Sequence, residues 1–96
     1  MKEGEVIRVR LPKEGEVFGR VVALLGANRL QVECEDGKER ICRIPGKLKK
    51  RVWTRVDDIV LVKPWEIQGD TRADLVWRYT KNEVEFLKRK GYLKNL

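Results

Sequence analysis

The sequence contains no histidine and no serine, and it has only two cysteines among its 96 residues. Histidine is the commonest general acid-base in enzymes and serine is the nucleophile of the Ser-His-Asp triad, so neither arrangement can be built here. Two cysteines without an imidazole do not make a typical zinc site, and the Gly-rich phosphate-binding motifs are also missing. These absences predict a protein that is not an enzyme and that carries no metal and no cofactor.

Long apolar runs are missing as well. No uncharged apolar stretch approaches the length that crosses a bilayer, and the N-terminus has no apolar signal-peptide core. The length fits one domain, and a hydrophobic content of 42% can fill one small core. We therefore expect a single-domain, monomeric protein of the cytoplasm without a membrane partner.

Positive charge is plentiful and unevenly placed. The net charge is +7, and residues 38–63 hold nearly all of the excess, with nine basic and three acidic side chains. Within this segment, Lys47 to Arg55 combine five cations with one tryptophan. A surface that only keeps a protein soluble would spread its charge, whereas a concentrated patch is typical of proteins that bind a phosphate backbone. The charge pattern therefore predicts a nucleic-acid partner.

Five apolar segments have the composition of β-strands. The first covers residues 16–26, and Gly19 within it predicts a bulge or a sharp bend. In the second, Leu30, Val32 and Cys34 alternate with polar residues. Asp36-Gly37 then gives a strong hairpin signal before the third strand, which ends at Pro45-Gly46.

The last two strands precede a helix. The apolar run from Ile59 to Val62 predicts a strand buried on both faces, and the following strand is expected to place Trp77 in the core with Leu75 and Tyr79. Thr80 and Glu83 form a capping-box pair that starts the helix. Five short strands followed by a helix predict a mainly β fold, a five-stranded oligonucleotide-binding (OB) barrel with a C-terminal α-helix. An SH3-like barrel is the main alternative.

The fold prediction divides the chain into three parts. Residues 1–14 are a flexible N-terminal arm, residues 15–80 the barrel, and residues 81–96 a C-terminal helix packed on the barrel with a short tail. Cys34 and Cys42 lie on opposite arms of the predicted hairpin, roughly 10 Å or more apart, which is too far for a disulfide. We expect both to be buried as small apolar residues.

The predicted nucleic-acid site has two parts. Cations of the loop can neutralise phosphates, and Trp53 either stacks on an unpaired base or closes the barrel end as an apolar lid. Strand residues Arg40, Arg43, Lys63 and Arg78 extend the patch if they share one outer face. Arg40 has acidic neighbours to pair with, whereas Arg43 and Arg78 have none that is obvious. The full set of predicted RNA-binding residues is Arg43, Lys47, Lys49, Lys50, Arg51, Trp53, Arg55, Lys63 and Arg78.

Three sequence blocks resemble a known family. The segments "CRIPGKLKKRVWT", "DIVLVKPWE" and "DTRADLVWRY", followed by the helix at Thr80, are similar to archaeal translation initiation factor 1A. The family includes the eukaryotic factor of the same name, and bacterial translation initiation factor 1 is a shorter relative. The resemblance covers residues 15–93 and depends most on the block from Gly46 to Trp53 and on Ala73-Asp74.

The resemblance implies an S1-like OB barrel that binds RNA of the small ribosomal subunit near the aminoacyl site. It also implies indirect stabilisation of initiator tRNA, dissociation of ribosomes into subunits, and cooperation with a GTPase of the initiation factor 5B/2 type. It places the loop residues Lys47 to Trp53 against ribosomal RNA, with Arg43 and Arg78 on the RNA-facing side.

Two other functions remain open from the residues alone. A general single-stranded nucleic-acid binder of the cold-shock type would need a row of surface aromatics, of which this sequence has few. A small basic chromatin protein with an SH3-like barrel would bind duplex DNA through an apolar wedge.

Overall fold

The computed structural model describes residues 9–48, 54–94 and 96. In this part of the chain, five strands form one closed barrel in the order β1-β2-β3-β5-β4, with β4 also pairing with β1. All neighbours are antiparallel except β3 and β5, which are parallel. The elements are β1 (Val17–Gly26), β2 (Arg29–Cys34), β3 (Glu39–Arg43), a one-turn 3-10 helix (Gly46–Leu48), β4 (Ile59–Pro64), β5 (Arg72–Arg78) and α1 (Lys81–Arg89). The prediction of a five-stranded OB-type barrel with a C-terminal helix is confirmed.

The inside of the barrel is filled by alternate residues of the strands. Leu30, Val32 and Cys34 of β2 point inward as predicted, and all four residues from Ile59 to Val62 are buried. Val60 and Val62 belong to the interior cluster, whereas Ile59 and Leu61 belong to a second cluster. The interior cluster consists of Val21, Leu30, Val32, Cys34, Cys42, Val60, Val62, Ala73 and Leu75.

Gly19 serves close packing rather than a bulge. A Cβ built on Gly19 would overlap Cγ1 of Val32 and would lie 3.3 Å from the carbonyl oxygen of Glu33. The register of β1 against β2 is regular at Gly19 and shifts between Val21 and Ala23 and again near Leu25. Of the predicted bulge or sharp bend at Gly19, the bulge is wrong, because the register there is regular. The small residue instead lets β2 pack closely against β1.

Trp77 is not part of the core. The pairing of β5 with β4 contains a bulge, since Val62 is opposite Leu75 and Leu61 is opposite Trp77. The extra residue reverses the alternation, so Leu75 faces the barrel interior while Tyr79 joins the second cluster. Trp77 is 38% exposed, which corrects the prediction that it shares a buried face with Leu75 and Tyr79.

The second cluster joins the outside of the barrel to α1. Its buried members are Phe18, Ile59, Leu61, Tyr79, Leu87 and Leu93. Leu87 is the buried residue of α1, and the predicted capping box between Thr80 and Glu83 is present at its start. Val9 packs against the same cluster, and the hydroxyl of Tyr79 donates a hydrogen bond to the carbonyl of Arg10.

Both cysteines are free and buried, as predicted. Burial raises the pKa of the Cys42 thiol to about 12 and also raises the pKa of Cys34, so both remain protonated at neutral pH. Among the described residues, no cluster of three or more Cys, Asp or Glu is suited to hold a metal ion. Within the same residues, no helix has the length and apolarity needed to cross a membrane.

Candidate nucleic-acid interface

One row of charged side chains crosses the outside of four strands. Arg29 pairs with Arg43, Arg43 with Asp74, and Asp74 with Lys63. Residues directly opposite each other share a face of a sheet, and three strand spacings span about 14 Å. The next row contains Arg72 and Trp65, whose backbone N–H donates to the Arg72 carbonyl. We refer to Arg29, Arg43, Lys63, Trp65, Arg72 and Asp74 together as the basic face.

Asp74 holds two other members of the basic face in place. Nε of Arg43 lies 3.3 Å from Oδ1 of Asp74, and Nε1 of Trp65 donates to the same oxygen at 3.0 Å. The Arg43 guanidinium also lies 5.8 Å from the centre of the Trp65 ring. The expectation that Arg43 lacks an acidic partner is therefore wrong, although its side chain remains 61% exposed. Trp65 is exposed as well.

A second group of cations lines a groove between the barrel and α1. We call this groove the helix groove. Nε of Arg78 donates to Oδ2 of Asp58 at 3.0 Å, so the expectation that Arg78 has no acidic partner is also wrong. Arg20 contacts Glu33 and Asp57, yet its buried Nε has no hydrogen-bond partner within the described part of the chain. The cations of the groove are Arg20, Arg55, Arg78, Lys81, Lys88 and Arg89.

The predicted strand cations thus fall into two groups rather than one. Arg43 and Lys63 belong to the basic face, whereas Arg55 and Arg78 belong to the helix groove. Arg72 begins β5 and Arg78 ends it, so the two groups lie about 20 Å apart along this strand.

Arg40 does not contribute to either group. It is 3% exposed, and its guanidinium donates to both carboxylate oxygens of Asp36 and to the carbonyl of Gly69. Arg40 therefore pairs with an acidic neighbour, as the sequence suggested, and the condition that it shares an outer face with Arg43, Lys63 and Arg78 is not met. The arginine instead links the β2–β3 hairpin to the turn between β4 and β5.

The loop between β3 and β4 starts near the basic face and ends at the helix groove. It leaves β3 beside Asp74 and enters the 3-10 helix, where Leu48 packs against the interior cluster. It returns at Arg55, whose backbone N–H donates to Oδ2 of Asp58 at 2.8 Å. Asp57 and Asp58 form a charged turn that pairs with Arg20 and Arg78.

The predicted loop residues Lys49, Lys50, Arg51 and Trp53 lie outside the described residues, and so does the side chain of Lys47. Their role in RNA binding stays a prediction. The choice between stacking and lid for Trp53 likewise stays open.

Sequence reasoning missed several members of these two groups. Arg29 could have been found, because it precedes the alternation of Leu30, Val32 and Cys34 and so points outward. The positions of Arg72 and Trp65 on the basic face depend on how the β4–β5 turn aligns the two strands. The sequence does not specify this alignment. Lys88 and Arg89 sit in the last turn of α1, where positive charge complements the helix dipole, and the packing of α1 also places them along the groove.

A closed five-stranded barrel of this topology, with cations gathered on the outside of its strands, belongs to the class of oligonucleotide-binding barrels. The family model "Translation initiation factor 1A / IF-1" matches residues 6–96, and the chain belongs to this family. Its members are RNA-binding factors rather than enzymes, in agreement with the prediction from composition.

Two similar proteins come from archaea. "Translation initiation factor 1A" of Archaeoglobus fulgidus is 60% identical over 94 residues, covering 96% of each chain. The protein of the same name from Methanopyrus kandleri is 62% identical over 86 residues, covering 90% of this chain and 77% of its own. The protein functions in translation initiation, as the resemblance implied.

Two solved structures resemble the barrel. Translation initiation factor 1 from the Wolbachia endosymbiont of Brugia malayi superposes with a TM-score of 0.53 and 28% identity, covering 69% of this chain and 78% of its own. YjeQ from Thermotoga maritima gives a TM-score of 0.56 at 24% identity, covering 68% of this chain and 23% of its own, which shows similarity of fold alone.

Proposed function

We propose that the protein binds ribosomal RNA of the small subunit near the aminoacyl site, stabilises initiator tRNA there indirectly, and promotes dissociation of ribosomes into subunits. The observation that carries the proposal is the row of cations across the basic face, in a chain of the initiation factor 1A family. Phosphate contacts of this kind give affinity and orientation with little dependence on sequence.

The loop from Lys47 to Arg55 supplies the main contact with RNA. Five cations within nine residues repel one another in the free protein, and RNA phosphates relieve that repulsion on binding. Because the loop leaves the basic face and returns at the helix groove, a strand of RNA held by the loop can reach cations of either group. Arg43, Lys63, Arg55 and Arg78 would then extend the phosphate contacts.

Two acidic residues keep the arginines ordered before RNA arrives. Asp74 holds Arg43 and Asp58 holds Arg78, at 3.3 and 3.0 Å. Arg43 is largely exposed, so its guanidinium can take a phosphate oxygen with the nitrogens that Asp74 does not use. The pairs therefore orient the arginines without removing them from the interface.

Partners of the complex follow from the same proposal. The small subunit is the direct partner, initiator tRNA is affected indirectly, and a GTPase of the initiation factor 5B/2 type joins the same subunit. The protein acts as a monomer in the cytoplasm and uses no cofactor.

Co-sedimentation with purified small subunits at moderate salt tests this function. We expect saturable one-to-one binding by the wild type and its loss in a Lys49→Glu/Lys50→Glu/Arg51→Glu variant. A Lys13→Glu/Lys90→Glu/Lys94→Glu variant changes the net charge equally outside both cation groups and should bind nearly as well as the wild type. Circular dichroism of the wild type and both variants is the check that all three proteins fold.

Normal binding by the loop variant would contradict the proposed role of the loop. Equal affinity of the wild type for duplex DNA or for free RNA would contradict the proposed function itself and favour a general nucleic-acid binder.

A further inference from the structure

We propose that Trp65 is a stacking site for an unpaired RNA base, beside the cations that bind the flanking phosphates. This inference rests on the proposed function and deepens it, because it assigns a base contact to a surface that otherwise offers only phosphate contacts. Trp65 was not among the residues that the sequence marked for RNA binding.

The position of Trp65 suits a base. The indole is 36% exposed on the outer side of the β4–β5 turn, in the row next to Arg43 and Lys63. Arg72 pairs with the Trp65 backbone. Successive phosphates of a single strand bound to these cations would bring their bases over the same surface. Aromatic side chains placed among such cations are the usual stacking platforms for single-stranded RNA.

Two side chains hold the indole in place. Its Nε1 donates to Asp74, and the Arg43 guanidinium lies over the ring. The backbone of Trp65 is closely packed as well, because a Cβ on Gly69 would overlap the Trp65 carbonyl oxygen. A side chain fixed before binding loses little conformational freedom when a base stacks on it, which favours affinity.

Trp77 offers an internal comparison. It is exposed to a similar degree, but the Arg10 guanidinium lies 5.9 Å from its ring centre, and Trp77 belongs to neither cation group. Trp65 has an arginine neighbour as well, so an explanation without RNA is that the indole only supports Arg43. Binding to RNA with and without bases separates these explanations.

The test uses the full-length protein and a short single-stranded RNA, together with the same oligomer in which abasic sites replace the nucleosides. We expect Trp65→Ala to weaken binding of the base-bearing oligomer by about 5- to 150-fold, the range for one stacked base. Binding of the abasic oligomer should hardly change. Trp65→Phe, which keeps an aromatic face, should retain most of the affinity, and Trp77→Ala should bind as the wild type does.

A fluorescence measurement covers the case in which Trp65→Ala fails to fold. In a Trp53→Phe/Trp77→Phe protein, Trp65 is the single tryptophan, and stacking of a base should quench its emission in the presence of the base-bearing oligomer only. Equal quenching by both oligomers, no quenching, or equal affinity of folded Trp65→Ala for the base-bearing oligomer would overturn the inference.

The two proposals fail separately. If the wild type binds small subunits and the loop variant does not, the proposed function stands whatever Trp65 does. If Trp65→Ala then binds the base-bearing oligomer normally, the stacking site alone is wrong.

Discussion

The acidic partner of each arginine determines whether the arginine is buried and stabilises the fold or remains exposed to solvent. Arg40 carries as much charge as Arg43, but its contacts with Asp36 and the Gly69 carbonyl bury it between two turns. Arg43 pairs with the carboxylate of Asp74, which also accepts a hydrogen bond from the Trp65 indole, and Arg43 stays exposed. The same residue type therefore stabilises the barrel at one position and is available to RNA at another.

Replacing Arg40 with methionine should destabilise the protein by about 2–4 kcal/mol, because methionine keeps much of the volume but removes the hydrogen bonds to the Gly69 carbonyl and to both carboxylate oxygens of Asp36. Urea denaturation measures this loss. Lys38→Met is a matched control, since Lys38 lies on the same hairpin and its loss removes only an exposed ion pair with Asp70 of the β4–β5 turn, which should change stability little. Equal effects of the two substitutions would show that Arg40 is not a structural link.

Acid should weaken the same link. The hydrogen bonds from Arg40, followed by that from the Lys38 backbone, hold the pKa of Asp36 below its usual 3.8. Because the folded state lowers this pKa, the pair stabilises the protein above about pH 4, and the contribution is lost as the pH falls through the folded-state value. Denaturation midpoints measured between pH 6 and 2.5 should fall less steeply in Arg40→Met than in the wild type. Parallel curves would be evidence against this assignment.

At the scale of elements, each strand places one set of residues in the barrel and another on its surface. β3 is short, but its parallel pairing with β5 closes the barrel and aligns Arg43 with Asp74. β5 is irregular, and its bulge moves Trp77 outward and Tyr79 under α1. The position of each element therefore fixes both the core and the basic face.

Sequence patterns predicted the regular elements, but they did not predict the features that depend on how distant strands pair. The alternation in β2, the Asp36-Gly37 turn and the capping box at Thr80 depend on residues close in sequence, so local rules found them. The bulge opposite Leu61 depends on how β5 aligns with β4, and the outward side of Trp77 follows from that alignment. The partners of Arg43 and Arg78 are likewise distant in sequence, at Asp74 and Asp58.

Gly19→Ala tests the close approach of β1 and β2. The added methyl would overlap Val32, so we expect destabilisation by about 1–3 kcal/mol, the usual effect of overpacking. Adding Val32→Ala should make the penalty of the alanine at position 19 smaller, because it removes the atom that the methyl meets. A thermal double-mutant cycle measures the coupling. Strict additivity of the two substitutions would contradict the proposed packing.

At the scale of the whole molecule, the barrel is a rigid support for one basic loop. Both described ends of that loop are anchored. Leu48 packs against the interior cluster, and the Arg55 backbone N–H donates a hydrogen bond to Asp58. The basic face lies where the loop begins and the helix groove where it ends. This arrangement suits a large folded RNA better than a single short strand, since the cations point to more than one side of the barrel.

Salt should weaken binding to small subunits in proportion to the number of phosphates that the protein neutralises. If the five cations from Lys47 to Arg55 each neutralise one phosphate, log K against log salt should have a slope of about −3.5, taking single-strand behaviour as the guide. Lys49→Ala/Lys50→Ala should make the slope less steep by about 1.4, because two phosphates are then no longer neutralised. A filter-binding series over salt concentration gives both slopes. An unchanged slope in the variant would exclude these lysines as phosphate ligands.

The most direct test of the central claim is chemical footprinting of small-subunit RNA with and without the protein. The account predicts protection of nucleotides at the aminoacyl site by the wild type, and loss of that protection with Lys49→Glu/Lys50→Glu/Arg51→Glu. Protection scattered over the subunit, or located away from that site, would contradict it.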